Sequence, residues 1–386
     1  MKIDYNKPIL NKNGEPLKLL ESAAHHCIRC IKKTTALSKL GYMIYGMGDK
    51  DTYGAELYES YFVWHNERQF KDNVRICVNL GVDAITWDNE PDHPVRWIRE
   101  VLRDMNVEDR VKLIVDLHDL DSIRRGFIPK DEREMFNYAD ALIYVSLPIQ
   151  KMTNELHKIT IPNTVIYSYC NKGIVEYDEG KVKERSGLVY EGGANPPTDD
   201  ELNMIFSYRS LYNIIKRLVN MGNETHMYCG NVSAFETYQN TGAILHPPTM
   251  YDKMMNELVQ YKYGVLIFNN EDGKKDQVNY TLTNKEEEYL QAGVPSLACW
   301  CPESMKHVKK HGIGFTFEHI DEVRDCSQLE SMYLETMDNI KIKRNELVME
   351  NFIWRLENLY AEVLDVEKKD LPDEIRKLSE FEYGDV

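Results

Sequence analysis

The chain has 386 residues, 42% hydrophobic and 28% charged, which excludes wholesale disorder, collagen-like repeats and a disulfide-held miniprotein. Single domains rarely exceed about 250–300 residues, so two domains are expected. Sixty-three acidic against 47 basic residues leave a formal charge of −16, which argues against a general nucleic-acid coat while leaving room for a local basic groove.

No stretch approaches the roughly 18–20 apolar residues of a membrane span. The opening MKIDYNKPILNKNGEP has no apolar core behind its charge and is read as no signal peptide. Cys27, Cys30, Cys77, Cys170, Cys229, Cys299, Cys301 and Cys326 are dispersed, and are read as reduced thiols of a cytoplasmic protein.

In chain order, Leu20, Ala24, Cys27, Ile28, Ile31 and Leu37 recur at helical spacing and predict one long helix from Leu17 to Leu40, stopped by Gly41. Strands are predicted at Tyr42–Tyr45, Tyr61–Trp64, Val82–Trp87, Val111–Leu117, Ala141–Ser146 and Thr164–Tyr169. Helices are predicted between them at Phe70–Leu80, Pro94–Met105, Glu132–Tyr138 and Ile149–Lys158. Alternation of this kind implies parallel βαβ units, and strands apolar throughout imply a sheet covered on both faces.

Residues 173–186 are charged and poor in large apolar side chains, so they are read as a linker after a first domain spanning 1–172. The rhythm restarts with a strand at Gly187–Tyr190 followed by Glu191-Gly192-Gly193. Thr198 and Glu201 have capping-box spacing and open a helix running to about Met221. Strands follow at His226–Tyr228, Ala243–Leu245, Tyr263–Phe268 and Val294–Cys299, with a helix at Tyr251–Gln260. Thr283 and Glu286 form a second capping box, and the helix they open ends at Gly293. The second domain is placed at 187–366. The whole reads as α/β, with two doubly wound parallel sheets in tandem.

The segment TNKEEEYLQAGVP, Thr283–Pro295, carries the strongest chemical signal. A helix start presents free N–H groups and the positive end of a dipole, which suits phosphate. Lys285 stands in that first turn, where a cation is ordinarily unfavourable. Either a bound anion resolves the conflict, or Glu286, Glu287 and Glu288 neutralise it locally.

NKEEEYLQAGVP resembles a signature of the GT-B glycosyltransferases, nearest to their family-four nucleotide-sugar transferases. RCIKKTTALSKLGY (29–42), KLIVDLHDLDS (112–122), NYADALIYVS (137–146), LVYEGG (188–193) and NFIWRLENLYAEVL (351–364) are similar to further segments of that family, in the same order. The resemblance implies two Rossmann-like domains facing a central cleft, with the nucleotide sugar on the second and the acceptor on the first. A final helix within 367–386 would pack back on the first domain.

It also implies roles. Glu288 matches the carboxylate that accepts from the ribose hydroxyls, and Asn284 and Lys285 lie where the diphosphate would bind. Gly192 and Gly193 would let backbone approach the donor, although a plain turn explains a Gly-Gly as well. His118 and Asp119 end a buried strand on the acceptor side and are candidates for orienting the acceptor or taking its proton. A structural tie of the strand end is the other reading of Asp119. Arg124 and Arg125 would receive an acidic or phosphorylated acceptor, or stand solvated. Two departures stand out: Tyr280 replaces the first glutamate of the family's paired glutamates, and Ala194-Asn195-Pro196-Pro197 replaces a basic residue, the next being Arg209.

No metal or other cofactor is expected, because such enzymes neutralise the leaving diphosphate with side chains and dipoles. His25, His26, Cys27 and Cys30 lack zinc-finger spacing. The expected activity is transfer of a sugar from a nucleoside diphosphate sugar, UDP-linked by preference, to a glycan, lipid-linked sugar, protein or modified nucleobase. A nucleotide-sugar epimerase and a non-catalytic scaffold are the alternatives. Lys18, Arg29, Lys32, Lys33 and Lys39 on the first predicted helix leave peripheral membrane contact open, with a solvated helix face as the plainer reading.

Overall fold

In the computed structural model, which describes residues 3–50, 53–88, 90–197, 206–229, 232–323 and 329–384, contacts divide the chain into two units. One comprises Met1–Asn171 with Met349–Val386, the other Lys172–Val348.

The first unit opens with a short strand, β1 (Ile3–Asp4). Its sheet is built from β2 (Lys18–Ala23), β3 (Met43–Gly48), β4 (Tyr61–Val63), β5 (Ala84–Asp88), β6 (Lys112–Leu117), β7 (Ala141–Tyr144) and β8 (Asn163–Val165). These pair in the order β4-β3-β2-β5-β6-β7-β8, all parallel. Helices α1 (Ile28–Lys39), α2 (Glu67–Asn79), α3 (Pro94–Asp104), α4 (Asp121–Arg125), α5 (Lys130–Tyr138) and α6 (Leu147–His157) form the connections. The strand order reverses between β2 and β5, which makes the space beyond their carboxyl ends the switch point of the sheet.

The predicted helix from Leu17 to Leu40 is corrected to a strand followed by a shorter helix. β2 is hydrogen-bonded on both sides, and Leu19 to Ala23 are all buried. A central parallel strand has no exposed face and therefore no alternation, so its apolar run merged with the true periodicity of α1. The cations of α1 are corrected as well: Arg29, Lys32 and Lys33 are buried and offer no basic surface.

The chain returns to the first unit at Met349, earlier than the expected boundary at 366. The returning elements are α14 (Met349–Phe352), α15 (Trp354–Leu364), β15 (Lys369–Asp370) and α16 (Asp373–Tyr383). Phe352 stacks on Tyr169 with ring centres 4.3 Å apart, and Arg355 donates to the Val165 carbonyl at 2.8 Å. β15 pairs in parallel with β1. The segment 351–364 thus spends its apolar face on the first unit's core.

The second unit holds β9 (Ser186–Gly192), β10 (Thr225–Cys229), β11 (Ile244–His246), β12 (Tyr261–Ile267), β13 (Ser296–Cys299) and β14 (Gly314–Phe317). They form a parallel sheet in the order β11-β10-β9-β12-β13-β14, with its switch point between β9 and β12. The helices are α7 (Tyr212–Asn220), α8 (Val232–Tyr238), α9 (Tyr251–Leu258), α10 (Asp276–Tyr280), α11 (Lys285–Ala292), α12 (Pro302–His311) and α13 (Glu330–Glu346). β14 has no counterpart among the predicted strands. The capping pair Thr198 and Glu201 lies outside the described residues.

The expected linker at 173–186 is corrected: it packs as part of the second unit. Val182 is buried, and the Arg185 guanidinium donates to the carbonyls of Ala292 and Gly293. A cation on the exposed carbonyls of a helix end satisfies groups that the helix cannot. Among the described residues no helix is long and apolar enough to cross a membrane.

Candidate functional site

In the second unit, α11 starts as its sequence requires. The Glu286 carboxylate accepts from the Thr283 N–H at 2.7 Å, and the Thr283 hydroxyl accepts from the Lys285 N–H at 3.2 Å. Ser304 also donates to Glu286 at 3.1 Å, and Glu287 lies 2.9 Å from His307. Glu286 and Glu287 are thereby directed into the protein. Among the described residues no carboxylate reaches within ion-pair distance of the Lys285 ammonium.

Tyr289 fixes where the helix sits. Its hydroxyl hydrogen-bonds the carbonyls of Val189 and Val265 at 3.1 and 3.2 Å and accepts from the Glu191 N–H at 3.2 Å. The ring fits because position 264 is glycine: a β-carbon there would lie 2.4 Å from it. Helix α11 is thus pinned across β9 and β12, on either side of the switch point.

That placement carries Lys285 over the carboxyl end of β9. Its ammonium stands 5.4 Å from the ring centres of Tyr190 and Phe268, and a β-carbon on Gly192 would lie 2.8 Å from it. Gly192 has φ of +119°, a backbone conformation closed to other residues. Arg209 reaches the same strand end: a β-carbon on Gly193 would meet its guanidinium at 3.4 Å. The Arg209 carbonyl holds the Asn195 N–H at 2.9 Å, which brings the loop after β9 back to the strand end. Gly192, Gly193, Lys285 and Arg209 therefore converge, with Asn284 beside Lys285 at the helix start. Glu288, one turn into α11, is 3% exposed.

The sequence marked Arg209 only as the next basic residue after a gap. Its signal was chemical type without position, since spacing along a loop does not reveal which strand end the loop revisits. On the same carboxyl edge, beyond β12, β13 and β14, lies a cavity of about 340 Å³ lined in part by Asn270, Trp300, Pro302 and Lys309.

In the first unit the strand ends hold a buried charge cluster. The Lys33 ammonium, 0% exposed, contacts Asp88 at 2.9 Å, Asp116 at hydrogen-bond distance and Glu21 at 3.9 Å. Arg29 donates twice to Asp116 from Nε, at 3.1 and 3.2 Å, and to the Ile166 carbonyl at 2.8 Å. Two carboxylates, Asp88 and Asp116, thus face two cations. Asp116 is held below the ordinary carboxylate range: Arg29 and Lys33 outweigh burial, which acts the other way. One ligand-type atom from each of Asp88, Asp116 and His118 lies within 4.8 Å of the others, but Lys33 already supplies two of these groups with the positive charge a metal would bring.

Glu21 is the surplus carboxyl. Burial pushes it up to about 8, with Lys33 opposing and Asp88 and Asp116 adding. The folded chain therefore keeps a proton that the unfolded chain loses near 4.5, and the stability this contributes falls as pH rises from there through about 8. Glu21→Gln, which cannot ionise, is expected to lose less stability than the parent protein between about pH 5 and 8. Urea unfolding at both pH values checks this, and equal losses would contradict it.

His118 lies one residue past the end of β6, with a ring nitrogen within 4.8 Å of carboxylate oxygens of Asp88 and Asp116. Burial lowers its pKa, but Cys27, Asp119, Asp116 and Asp88 together outweigh burial and raise it. Asp119 is bridged by Arg124, which also bridges Glu90; the Arg124 side chain is 2% exposed. Arg124 is thus an internal strut of the strand ends and not a surface receptor for an acidic acceptor. Arg125 pairs with Asp121 at 3.1 Å and is partly exposed.

No family model and no curated protein matches the sequence. Solved structures do match. Sucrose-phosphate synthase from Thermosynechococcus elongatus is 10% identical, with 90% of this chain and 99% of that chain covered at a TM-score of 0.63. A glycosyltransferase from Rickettsia africae is 12% identical, with 90% and 98% covered at 0.64. AviGT4, a glycosyltransferase of avilamycin A biosynthesis, is 11% identical, with 92% and 100% covered at 0.58. The chain has the GT-B fold, with two Rossmann-like domains.

Proposed function

We propose that the protein is a glycosyltransferase that takes its sugar from a nucleoside diphosphate sugar, a UDP-sugar first among them. One observation carries this reading: Lys285 and Arg209 meet glycine backbone at the switch point of the second sheet, with no carboxylate of the described residues paired to either cation. A diphosphate supplies the charge such a site lacks. In this reading Lys285, Arg209 and the N-terminus of α11 take up the negative charge that develops on the leaving nucleoside diphosphate, without a metal ion.

Glu288 accepts from the ribose hydroxyls and Asn284 hydrogen-bonds the diphosphate. The acceptor is received at the strand ends of the first unit. Because His118 is shifted toward its protonated form, it serves there as a hydrogen-bond donor that orients the acceptor in preference to a base. Asp119, held by Arg124, positions that strand end.

The test is ligand-induced stabilisation by UDP, GDP, ADP and CMP. A ligand at 100 times its Kd is expected to stabilise the fold by about 2.7 kcal/mol, and selective stabilisation by one nucleoside diphosphate supports the reading. No shift with any of them would overturn it. Glu288→Ala is expected to weaken the nucleoside diphosphate about tenfold or more while leaving inorganic pyrophosphate unchanged. Equal affinity of the variant and the parent protein for the nucleotide would remove Glu288 from the ribose.

A further inference from the structure

Cys27 and Cys30 differ from the other described cysteines. Cys77, Cys170, Cys229, Cys299 and Cys301 are all buried. Burial pushes the thiols of Cys77 and Cys299 up to about 12 and that of Cys229 up to about 11. Cys27 is half-buried, and its sulfur lies 3.5 Å from that of Cys30, which is fully buried.

The backbone explains the pairing. Cys27 caps the twelve-residue helix α1 in an extended conformation (φ −80°, ψ 168°), and Cys30 follows within the first turn. The outer sulfur therefore stands at the positive end of a helix, and the inner one lies against it inside the fold. Nearby His26 is already committed: one ring nitrogen bonds the Tyr58 hydroxyl at 2.7 Å and the other the Met47 carbonyl at 3.0 Å. Cys30, His118, Asp88 and Arg29 are the titratable or charged groups that face Cys27 electrostatically. The hydrogen bond from Cys30 lowers the Cys27 thiol most; burial and Asp88 oppose, His118 assists, and the outcome is about 6.

We propose that Cys27 and Cys30 are a redox-active dithiol, oxidised to an intramolecular disulfide by small-molecule disulfides such as glutathione disulfide. The Cys27 thiolate attacks one sulfur of the oxidant, forming a mixed disulfide and releasing one thiolate, which takes up a proton. Cys30 gives up its proton and attacks the Cys27 sulfur, releasing the second thiol. The two cysteines lose two electrons and the oxidant is reduced to two thiols. With the outer sulfur half-buried and the inner one fully buried, the pair has the order of an attacking and a resolving thiol. Cys27 is also one of the groups that raise His118, so oxidation would withdraw a negative charge from a candidate acceptor residue.

The test uses the full chain, exposed to glutathione disulfide, alkylated and analysed by mass spectrometry. In the parent protein Cys27 and Cys30 are expected to escape alkylation together, joined to each other. In Cys30→Ser the reaction is expected to stop at one glutathionyl group on Cys27. Alkylation of Cys27 in the untreated protein is expected to level off above about pH 6–7, whereas an ordinary thiol's rate rises through about 8.5. Both cysteines remaining alkylatable after glutathione disulfide would overturn the proposal. So would an alkylation profile like that of an ordinary thiol. The two parent-protein measurements decide the matter if Cys30→Ser fails to fold.

Discussion

Lys285→Ala is expected to weaken binding of a nucleoside diphosphate by about 10–100-fold and to leave the melting temperature of the free protein nearly unchanged. A hydrogen bond to a charged partner contributes about 1.5–3 kcal/mol, which sets that range. The fold is spared because Lys285 is only partly buried and, among the described residues, leaves no carboxylate stranded when removed. Arg209→Ala is expected to act in the same direction. The double variant should fall short of the sum, since both cations address one diphosphate. Calorimetric titration with the nucleotide selected by the stabilisation screen measures all three. An unchanged affinity in Lys285→Ala would leave the convergence of Lys285, Arg209 and Gly192 as a structural feature only.

Lys33→Ala is expected to act on stability instead. Removing the ammonium strands Asp88 and Asp116 in the interior, beside Glu21. Breaking a buried ion pair from one side costs about 3–5 kcal/mol, because the remaining charge is left without solvent or partner. Chemical denaturation should show that loss in the unfolding of the first unit. Arg29→Ala should also destabilise, through Asp116 and the carbonyl of Ile166. Lys33→Ala with stability equal to the parent protein would mean that the cluster rearranges or takes up protons at little cost.

These two cations mark the difference between what is legible locally and what is not. The KEEEYL helix announces itself by its capping pair and its closing glycine, each of which acts within one turn. Lys285 could therefore be singled out before any fold was known. Arg209 could not, because it meets Gly193 only once the loop after β9 has turned back. Lys33 was misread for the same reason. A lysine beside other basic residues on an amphipathic stretch reads as a solvated face, and only the approach of β2, β5 and β6 supplies the three carboxyl groups that allow it to be buried. Arg124 shows the opposite error: two adjacent arginines read as an anion receptor, and Asp119 and Glu90 consume the first of them.

What the sequence by itself determined was the alternation of strands and helices, the division into two parallel α/β domains, the helix start at Thr283–Glu286 and a short set of residues at strand ends. These follow from interactions between residues a few positions apart. The tertiary structure alone decided that Lys18–Ala23 is a central strand, that residues 351–364 return to the first unit, that residues 173–186 belong to the second, and which cations are buried against carboxylates. Those outcomes depend on burial against elements more than 50 residues away in the chain, where backbone pairing on both edges of a strand and the cost of an unpartnered buried charge outweigh local preference.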